Sequence, residues 1–460
     1  MPRNVAAVIL AAGQGTRFKS DLAKVLHAAA GRSMLGHILA AVRPLDLAQV
    51  VVVVGHQRDD VEAEAASFDL PDLTTVVQED QLGTGHATEV ALDALADDID
   101  VVMVLPGDTP LLLADTLASL LDARDEADAA LLSTVLDDPT GYGRVIRDGD
   151  RVVRIVEEAD ATDEQRSVRE VNAGMYVFER APLADALADL DADNAQGELY
   201  LTDVVEVLAD DGADITTHVA PPDEVAGVND RSQLAEAATV LRRRRLEQLM
   251  TDVGVTVLDP ATTYIDVTVE VGRDSVILPN TILSGSTRLG ERVTVGPNSR
   301  LVDTRVGDDA ELTYAVAVEA RVGDDCDVGP FSYLRPGTVL ERGAKAGGFV
   351  EMKKAHVGEG SKVPHLSYIG DATIGTGVNV GAGTITCNYD GFDKHETIIE
   401  DDAFIGSDTM LVAPVRIGRG AVTGAGSAIA EDVPADALAV ERSDQRNVDG
   451  WAKARREQRQ

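Results

Sequence analysis

Two stretches of this chain carry residues that can do chemistry on anions. The first, "AVILAAGQGTRFKSDLAK" from Ala7 to Lys24, runs from an apolar strand into a Gly13-x-Gly15 turn and on to Arg17 and Lys24. Backbone N–H groups of a glycine turn, joined by two cationic side chains, make a cradle for a polyphosphate. The turn is not a dinucleotide fingerprint, because Phe18 stands where the third glycine would be, and "GQGTRFKS" lacks the spacing of a Walker loop. The second stretch holds "GGFVEMKKAH" and "GAGTITCNYDGFDKHE", and with them Lys353, Lys354, Lys362 and Lys394.

These cations stand out against their background. The 460 residues carry a formal net charge of -38, and of 41 basic residues only 8 are lysine, with none between Lys24 and Lys345. A surface of that sign repels phosphate backbones and anionic bilayers, so nucleic acid and membrane are not expected partners. Such acidity also fits a salt-adapted surface. Cys326 and Cys387 give neither a disulfide framework nor metal-ligand spacing, which suits a reducing cytoplasm. The apolar start, Val5 to Ala12, runs straight into the glycine turn and reads as a buried strand, not a leader. No apolar run approaches the ~20 residues of a membrane span.

The elements that must position these residues fall into two patterns. From Val5 to about residue 220, apolar runs such as Val50–Val54 and Val101–Leu105 alternate with helical stretches, the signature of βαβ units and a parallel sheet. Ligands bind beyond the carboxyl ends of such strands. Both Gly13 and the "PGD" at Pro106–Asp108 fall there. A helical segment at 230–250 follows, its four consecutive arginines expected on a solvated face.

Beyond it an aliphatic residue returns every sixth position: Val271, Ile277, Leu283, Leu289, Val295, Leu301, then Val306, Leu312 and Val318, and again from Val322 and from Ile399. Short strands wound into a parallel β-helix have this period. It breaks from Ala346 to Val357 and from Val380 to Ile399, and loops leaving the coil for binding are expected at both.

"LAAGQGTRFKSDLAKVLH" resembles the signature of sugar-nucleotide pyrophosphorylases, with "QEDQLGTGHA", "GYGRVI", "IVEEADAT", "VNAGMY" and "GVNDR" following in that family's order. With "GPFSYLRPG", "GGFVEMKKAHVGEGSKVPHLSYIGDATIG" and "GAGTITCNYDGFDKHETIIEDDAFIGSDTMLVAP", the resemblance becomes that of the bifunctional N-acetylglucosamine-1-phosphate uridylyltransferases/glucosamine-1-phosphate N-acetyltransferases, and it spans nearly the whole chain. It implies a Rossmann-like nucleotidyltransferase domain at 1–229 with a mostly parallel sheet, a linker helix at 230–250, a left-handed parallel β-helix at 251–441 and a tail at 442–460.

By this resemblance, the first domain joins UTP to N-acetylglucosamine-1-phosphate. Leu10, Ala11, Gly13, Lys24, Gln78, Gly83, Thr84, Gly143, Glu157, Asn172 and Asn229 match its nucleotide and sugar positions. Arg17 and Lys24 would balance phosphate charge, and Asp108 and Asn229 would hold Mg²⁺, which takes hard oxygen ligands. The second domain would acetylate glucosamine-1-phosphate from acetyl-CoA. His365 matches the base, since an amine attacks only when unprotonated. Glu351 would orient it, and Asn388 would stabilise the oxyanion.

Arg335, Lys353, Tyr368 and Asn379 match the sugar-phosphate contacts. Ala382, Asn388, Tyr389, Lys394, Ser407, Ala425 and Arg442 match those to acetyl-CoA. Proteins of this kind are homotrimers with acetyl sites shared between chains, and their product is a precursor of cell-wall polymers. Ala23, Gly348 and Pro364 depart from the family's usual proline, asparagine and glycine. The rival reading is a monofunctional sugar-1-phosphate nucleotidyltransferase with a structural or regulatory β-helix, but a scaffold needs none of "EMKKA", "PHLSY" and "CNYDG".

Overall fold

A computed structural model describes residues 4–459, and the chain divides into two compact units, Met1–Arg242 and Arg243–Gln460. In the first unit, aliphatic runs form the central strands β1 (Val5–Leu10), β2 (Gln49–Val54, polar only at Gln49) and β4 (Val101–Pro106), with β3 (Leu73–Val77) at the edge. Every residue of β2 is buried, as a strand covered on both faces must be. β1 lies between β2 and β4, parallel to both, so the carboxyl ends carrying Gly13 and Asp108 come side by side.

The sheet is not parallel throughout. After β5 (Ala129–Val135), the hairpin β6 (Arg144–Asp148) and β7 (Arg151–Val156) reverses the chain. The long β8 (Glu170–Glu179) then enters antiparallel between β4 and β5. β9 (Ile215–Val219) adds a parallel edge beside β5. Helix α1 (Met34–Val42) is capped by Ser33, whose hydroxyl accepts from the Gly36 N–H at 2.8 Å, and buries Leu35, Ile38 and Leu39 against one face of the sheet. The opposite face is covered by α2 (Thr84–Leu92) and α3 (Asp203–Asp210).

Helix α4, Arg231–Gln248, follows. Its arginines are not all on a solvated face: Arg245 is half-buried, donates to the Val269 carbonyl oxygen and to Gln248 Oε1, and burial lowers its pKa.

In the second unit, strands of mostly two to four residues, with seven in Glu351–Val357 and in Tyr368–Ile374, stack in parallel so that each coil repeats the register of the one below. Ile282 pairs with Tyr264 beneath and Arg300 above, and Leu283 with Ile265 and Leu301. The pleat turns Ile265, Leu283 and Leu301 inward into one continuous apolar column. Ala317, not Val318, takes the buried place after Leu312, because Ala317 is the residue that pairs with Leu301 and Leu334.

Corner carboxylates tie coil to coil. Asp308 Oδ1 accepts from the Glu291 N–H at 2.8 Å, Asp324 Oδ1 from the Asp308 N–H at 3.0 Å and Asp401 Oδ1 from the Thr376 N–H at 2.9 Å.

The two breaks in the repeat differ. From Glu351 to Val357 the chain does not leave the coil but forms one seven-residue strand bent at Lys354, whose φ is +45°. Its Glu351 continues one face and its His356 the next. Between Ile385–Cys387 and Thr397–Ile399 the chain does depart, in an excursion closed by an antiparallel bridge between Tyr389 and Lys394. At the carboxyl end, Trp451–Glu457 is a short exposed helix.

If the apolar column holds the coils together, Leu301→Ala, at a residue with 0% exposure, lowers unfolding free energy by about 2–5 kcal/mol. The exposed Arg288→Ala changes it by less than about 0.5 kcal/mol. Urea unfolding measures both, and equal losses contradict the packing.

Candidate functional site

The first candidate site lies where β1 and β4 end. Its cavity, about 620 Å³, is lined by Leu10, Ala11 and Gly13 on one side and by Gln78, Gly83 and Thr84 on the other. Lys24, Asp108, Asn229 and Arg17 close it. The Lys24 ammonium donates to Asp108 Oδ2 and, at 3.1 Å, to Asn229 Oδ1, which also accepts from Arg17 Nη2 at 2.9 Å. Two oxygen donors from distant parts of the chain therefore already face one cationic centre. That is the donor chemistry Mg²⁺ takes when phosphates and water complete its shell. Among the described residues no three histidine, cysteine or carboxylate side chains converge as a metal site of their own, so any such ion would depend on the ligand.

Glycine is required at two points here. Gly15 has φ +58°, and a Cβ on it would lie 2.5 Å from Lys24 Cβ, so the turn and the lysine occupy each other's only free space. A Cβ on Gly83 would lie 2.4 Å from the Leu199 carbonyl oxygen. Gln78 spends its Nε2 donor on Gly83 O at 3.0 Å. Sequence reasoning passed over Gln81, whose Nε2 donates to Ala12 O at 3.0 Å and joins the glycine turn to the opposite wall. Its signal lay in the same "QEDQLGTGHA" block.

Gly143, Glu157 and Asn172 do not line this cavity but form a second group. The Asn172 N–H donates to Gly143 O at 2.8 Å, and the place of a Gly143 Cβ lies 3.3 Å from Glu157 Oε1. The Asn172 amide also donates to Tyr176 Oη at 2.6 Å. Burial raises the Glu157 carboxyl above its usual range, opposed by the Thr202 side chain and, less, by Arg144. Arg144, 1% exposed, donates to the Tyr142 carbonyl oxygen and pairs with Glu158 at 2.6 Å, which fixes the loop around the group.

The second candidate site lies on the β-helix beside the excursion. Lys394 lies close enough to Lys353 to lower its pKa, with a further push from Arg335 and an opposing pull from Asp371. Two neighbouring ammonium groups repel, and an anion with several oxygens relieves them.

Arg335 pairs with Glu351 at 2.9 Å and lies 5.9 Å from the centre of the Tyr333 ring. Glu351 thus has Arg335 as its partner, and no hydrogen bond to His365 is present among the described residues. Tyr368 stacks directly above Glu351 in register. Asn388 is buried and donates to Asp371 Oδ2 at 2.5 Å, which makes Asp371 a further member that sequence reasoning missed.

His365 is exposed at the end of its strand, paired in register with Gly348. Asn379 continues the Lys362 row on another face. The small residues Ala382, Ser407 and Ala425 stand one above another. Ala382 O accepts from the Asp408 N–H at 2.7 Å, Ser407 O from the Gly426 N–H at 2.8 Å, and Arg442 Nη1 donates to Ala425 O at 2.9 Å. Tyr389 is 59% exposed on the excursion. Arg442 thus places a cation beside the last member of this row of small residues.

Residues 7–206 match the family model of the MobA-like NTP transferase domain, and residues 396–431 that of the hexapeptide repeat of succinyl-transferase. The chain is 51% identical to the bifunctional protein GlmU of Streptomyces avermitilis, over 99% of this chain and 95% of that one. It is 50% identical to the bifunctional protein GlmU of Carboxydothermus hydrogenoformans, over 97% of this chain and 99% of that one. The protein of the same name from Mycolicibacterium vanbaalenii is 51% identical over 99% of this chain and 94% of its own length.

The contact between the glycine turn and Lys24 yields a test. Gly15→Ala displaces the ammonium and lowers affinity for inorganic triphosphate by about tenfold or more, about 1.4 kcal/mol. Calorimetric titration reads it, with the unfolding midpoint as control, and unchanged affinity in a folded variant contradicts the geometry.

Proposed function

The chain belongs to the family of the bifunctional GlmU proteins, and we infer that it carries two activities in the synthesis of UDP-N-acetylglucosamine. One is acetyl-CoA-dependent N-acetylation of glucosamine-1-phosphate in the β-helix. The other is uridylyl transfer from UTP to N-acetylglucosamine-1-phosphate in the amino-terminal domain, releasing pyrophosphate. The observation that carries the reading is the meeting of Lys24, Asp108, Asn229 and Arg17 beside the glycine turn, in a chain otherwise poor in lysine.

In uridylyl transfer the sugar-phosphate oxygen attacks the α-phosphorus in line, which brings two anions together while charge grows on the leaving pyrophosphate. Lys24 and Arg17 would balance that charge, and the turn at Gly13 would offer backbone N–H groups to the phosphates. Asp108 and Asn229 would hold Mg²⁺, which would supply positive charge to offset that of the phosphates. Leu10, Ala11, Gln78, Gly83 and Thr84 would hold the nucleoside, and Gly143, Glu157 and Asn172 the sugar.

In acetyl transfer His365 would take the proton from the attacking amine, and Asn388 would donate to the oxyanion. Glu351, paired with Arg335, would act on the sugar-phosphate side. Arg335 with Lys353 would hold the phosphate, and Tyr368 with Asn379 the sugar. The row of small residues Ala382, Ser407 and Ala425 would leave room for the thin arm of acetyl-CoA, with Tyr389, Lys394 and Arg442 around it.

We further propose a homotrimer with acetyl sites shared between chains. Tyr314, Phe331 and Phe349 support it: exposed at 37%, 54% and 61%, they form a row along one corner of the coil, Tyr314 tilted against Phe331 at 5.2 Å between ring centres and Phe331 stacked on Phe349 at 5.1 Å. A parallel copy would cover such a stripe. No described helix is long and apolar enough to cross a membrane, and a cytoplasmic place accords with these substrates.

Two independent sites make a sharp prediction. Asp108→Ala abolishes uridylyl transfer and spares acetyl transfer, and His365→Ala does the reverse. Assays with glucosamine-1-phosphate, acetyl-CoA, UTP and Mg²⁺, each omitted in turn, read both. Loss of both activities in each folded variant refutes independence, and absence of acetyl transfer in the unaltered protein restores the monofunctional alternative.

A further inference from the structure

A second cavity in the amino-terminal unit, about 420 Å³, is lined by side chains that the two reactions leave largely unused. Asp160 reaches it from beyond β7, next to Glu157, the one lining residue assigned above to the sugar; Asp191 reaches it from the loop after Ala188, and Asp203, Glu206 and Asp210 from α3. Arg154 is the one cationic side chain of its lining, already committed to Glu206 at 3.3 Å. Carboxylates gathered on one concave wall repel each other more strongly than on a convex surface, because the wall excludes the water that would screen them.

A separate feature points to a ligand. Tyr200 lines the same cavity and is only 8% exposed, yet its buried hydroxyl has no hydrogen-bond partner. An unmet buried hydroxyl costs free energy unless something outside the chain meets it. Burial, with Asp160 and Glu157 near it, pushes the phenol up to about 12, so it stays protonated and its oxygen can also accept.

The kind of cation follows from the spacing. Among the described residues no three carboxylates converge as a bare metal ion requires. They are spread around a cavity that also presents the aliphatic side chains of Ile155, Leu190 and Val207. Separated negative charges with methylene-sized apolar surface between them match several ammonium groups joined by short alkyl links. We propose that this cavity binds a linear aliphatic polyamine, its ammonium groups on the carboxylates of the strand end, the loop and α3, and one of them against the Tyr200 hydroxyl.

The pH dependence follows from Asp203. Burial, and then the charges of Glu206, Glu157, Asp191 and Asp160, push it up to about 6, and Asp189, Asp193, Asp210, Arg154 and Tyr200 are the other titratable groups of the same lining. A carboxyl raised in this way loses its charge as pH falls through about 6, and affinity for a cation falls with it.

Calorimetric titration of the full chain with spermidine tests the proposal at about 0.15 M salt, where general surface attraction is screened. Asp191→Asn with Glu206→Gln is expected to weaken binding by about tenfold or more. Asp203→Asn alone, an isosteric change at one wall, should weaken it in the same direction. A control pair on another surface, Asp59→Asn with Asp60→Asn, should change it by less than about twofold.

Equal losses in the cavity and control variants would show only attraction to an acidic protein and overturn the proposal. So would full displacement of spermidine by millimolar Mg²⁺ at matched ionic strength, which would mark a metal site instead. The titration needs neither UTP nor glucosamine-1-phosphate, so its failure and that of the proposed enzymatic function are separable.

Discussion

Binding phosphorylated molecules to a chain of net charge -38 requires cations held in place, and the rest of the architecture answers to that constraint. A free lysine on such a surface would be drawn to any of many carboxylates. Lys24 is instead fixed by Gly15, whose missing side chain leaves room for its stem, and by Asp108 and Asn229, which converge on its ammonium from remote parts of the chain. Lys353 and Lys394 show the same economy in another form. Repulsion between them is tolerated, and an anion would remove it.

The acidity is also put to structural use. In the β-helix, aspartates at the corners accept backbone N–H groups from adjoining coils, so part of the negative charge is consumed in closing turns. Arg292 with Asp309 and Arg342 with Asp325 extend this along one corner as paired charges. These exposed pairs contribute little each, about 0–1 kcal/mol. The aliphatic column beneath them supplies most of the cohesion, and it is what allows polar residues on the outer faces to be chosen for binding.

Much of this was legible in the sequence because both folds repeat. Strand runs alternating with helices announced the sheet, and the six-residue period announced the coils. What the period could not show was a slip of one residue. Val318 and Ala317 are both apolar, and only pairing with Leu301 decides which is buried. Nor could a break in period distinguish a bent strand from a loop. Glu351–Val357 stays in the coil because Lys354 turns the corner with positive φ, a conformation that lysine does not advertise.

The antiparallel entry of β8 depends on the hairpin before it, a long-range choice that local pattern does not record. At the sites, motif blocks located the first cavity's residues, whereas the partner of Glu351 was set by register across coils and emerged only with Arg335 in place.

With only 8 lysines in the chain, the central claim can be read directly from their side-chain resonances after ¹³Cε labelling. Addition of UTP with Mg²⁺ should move the Lys24 signal and leave Lys353 and Lys394 in place, while glucosamine-1-phosphate should move Lys353 and Lys394 and leave Lys24. Uniform small shifts across all lysines, Lys19, Lys345 and Lys453 included, would contradict an account in which anions are met at two built centres.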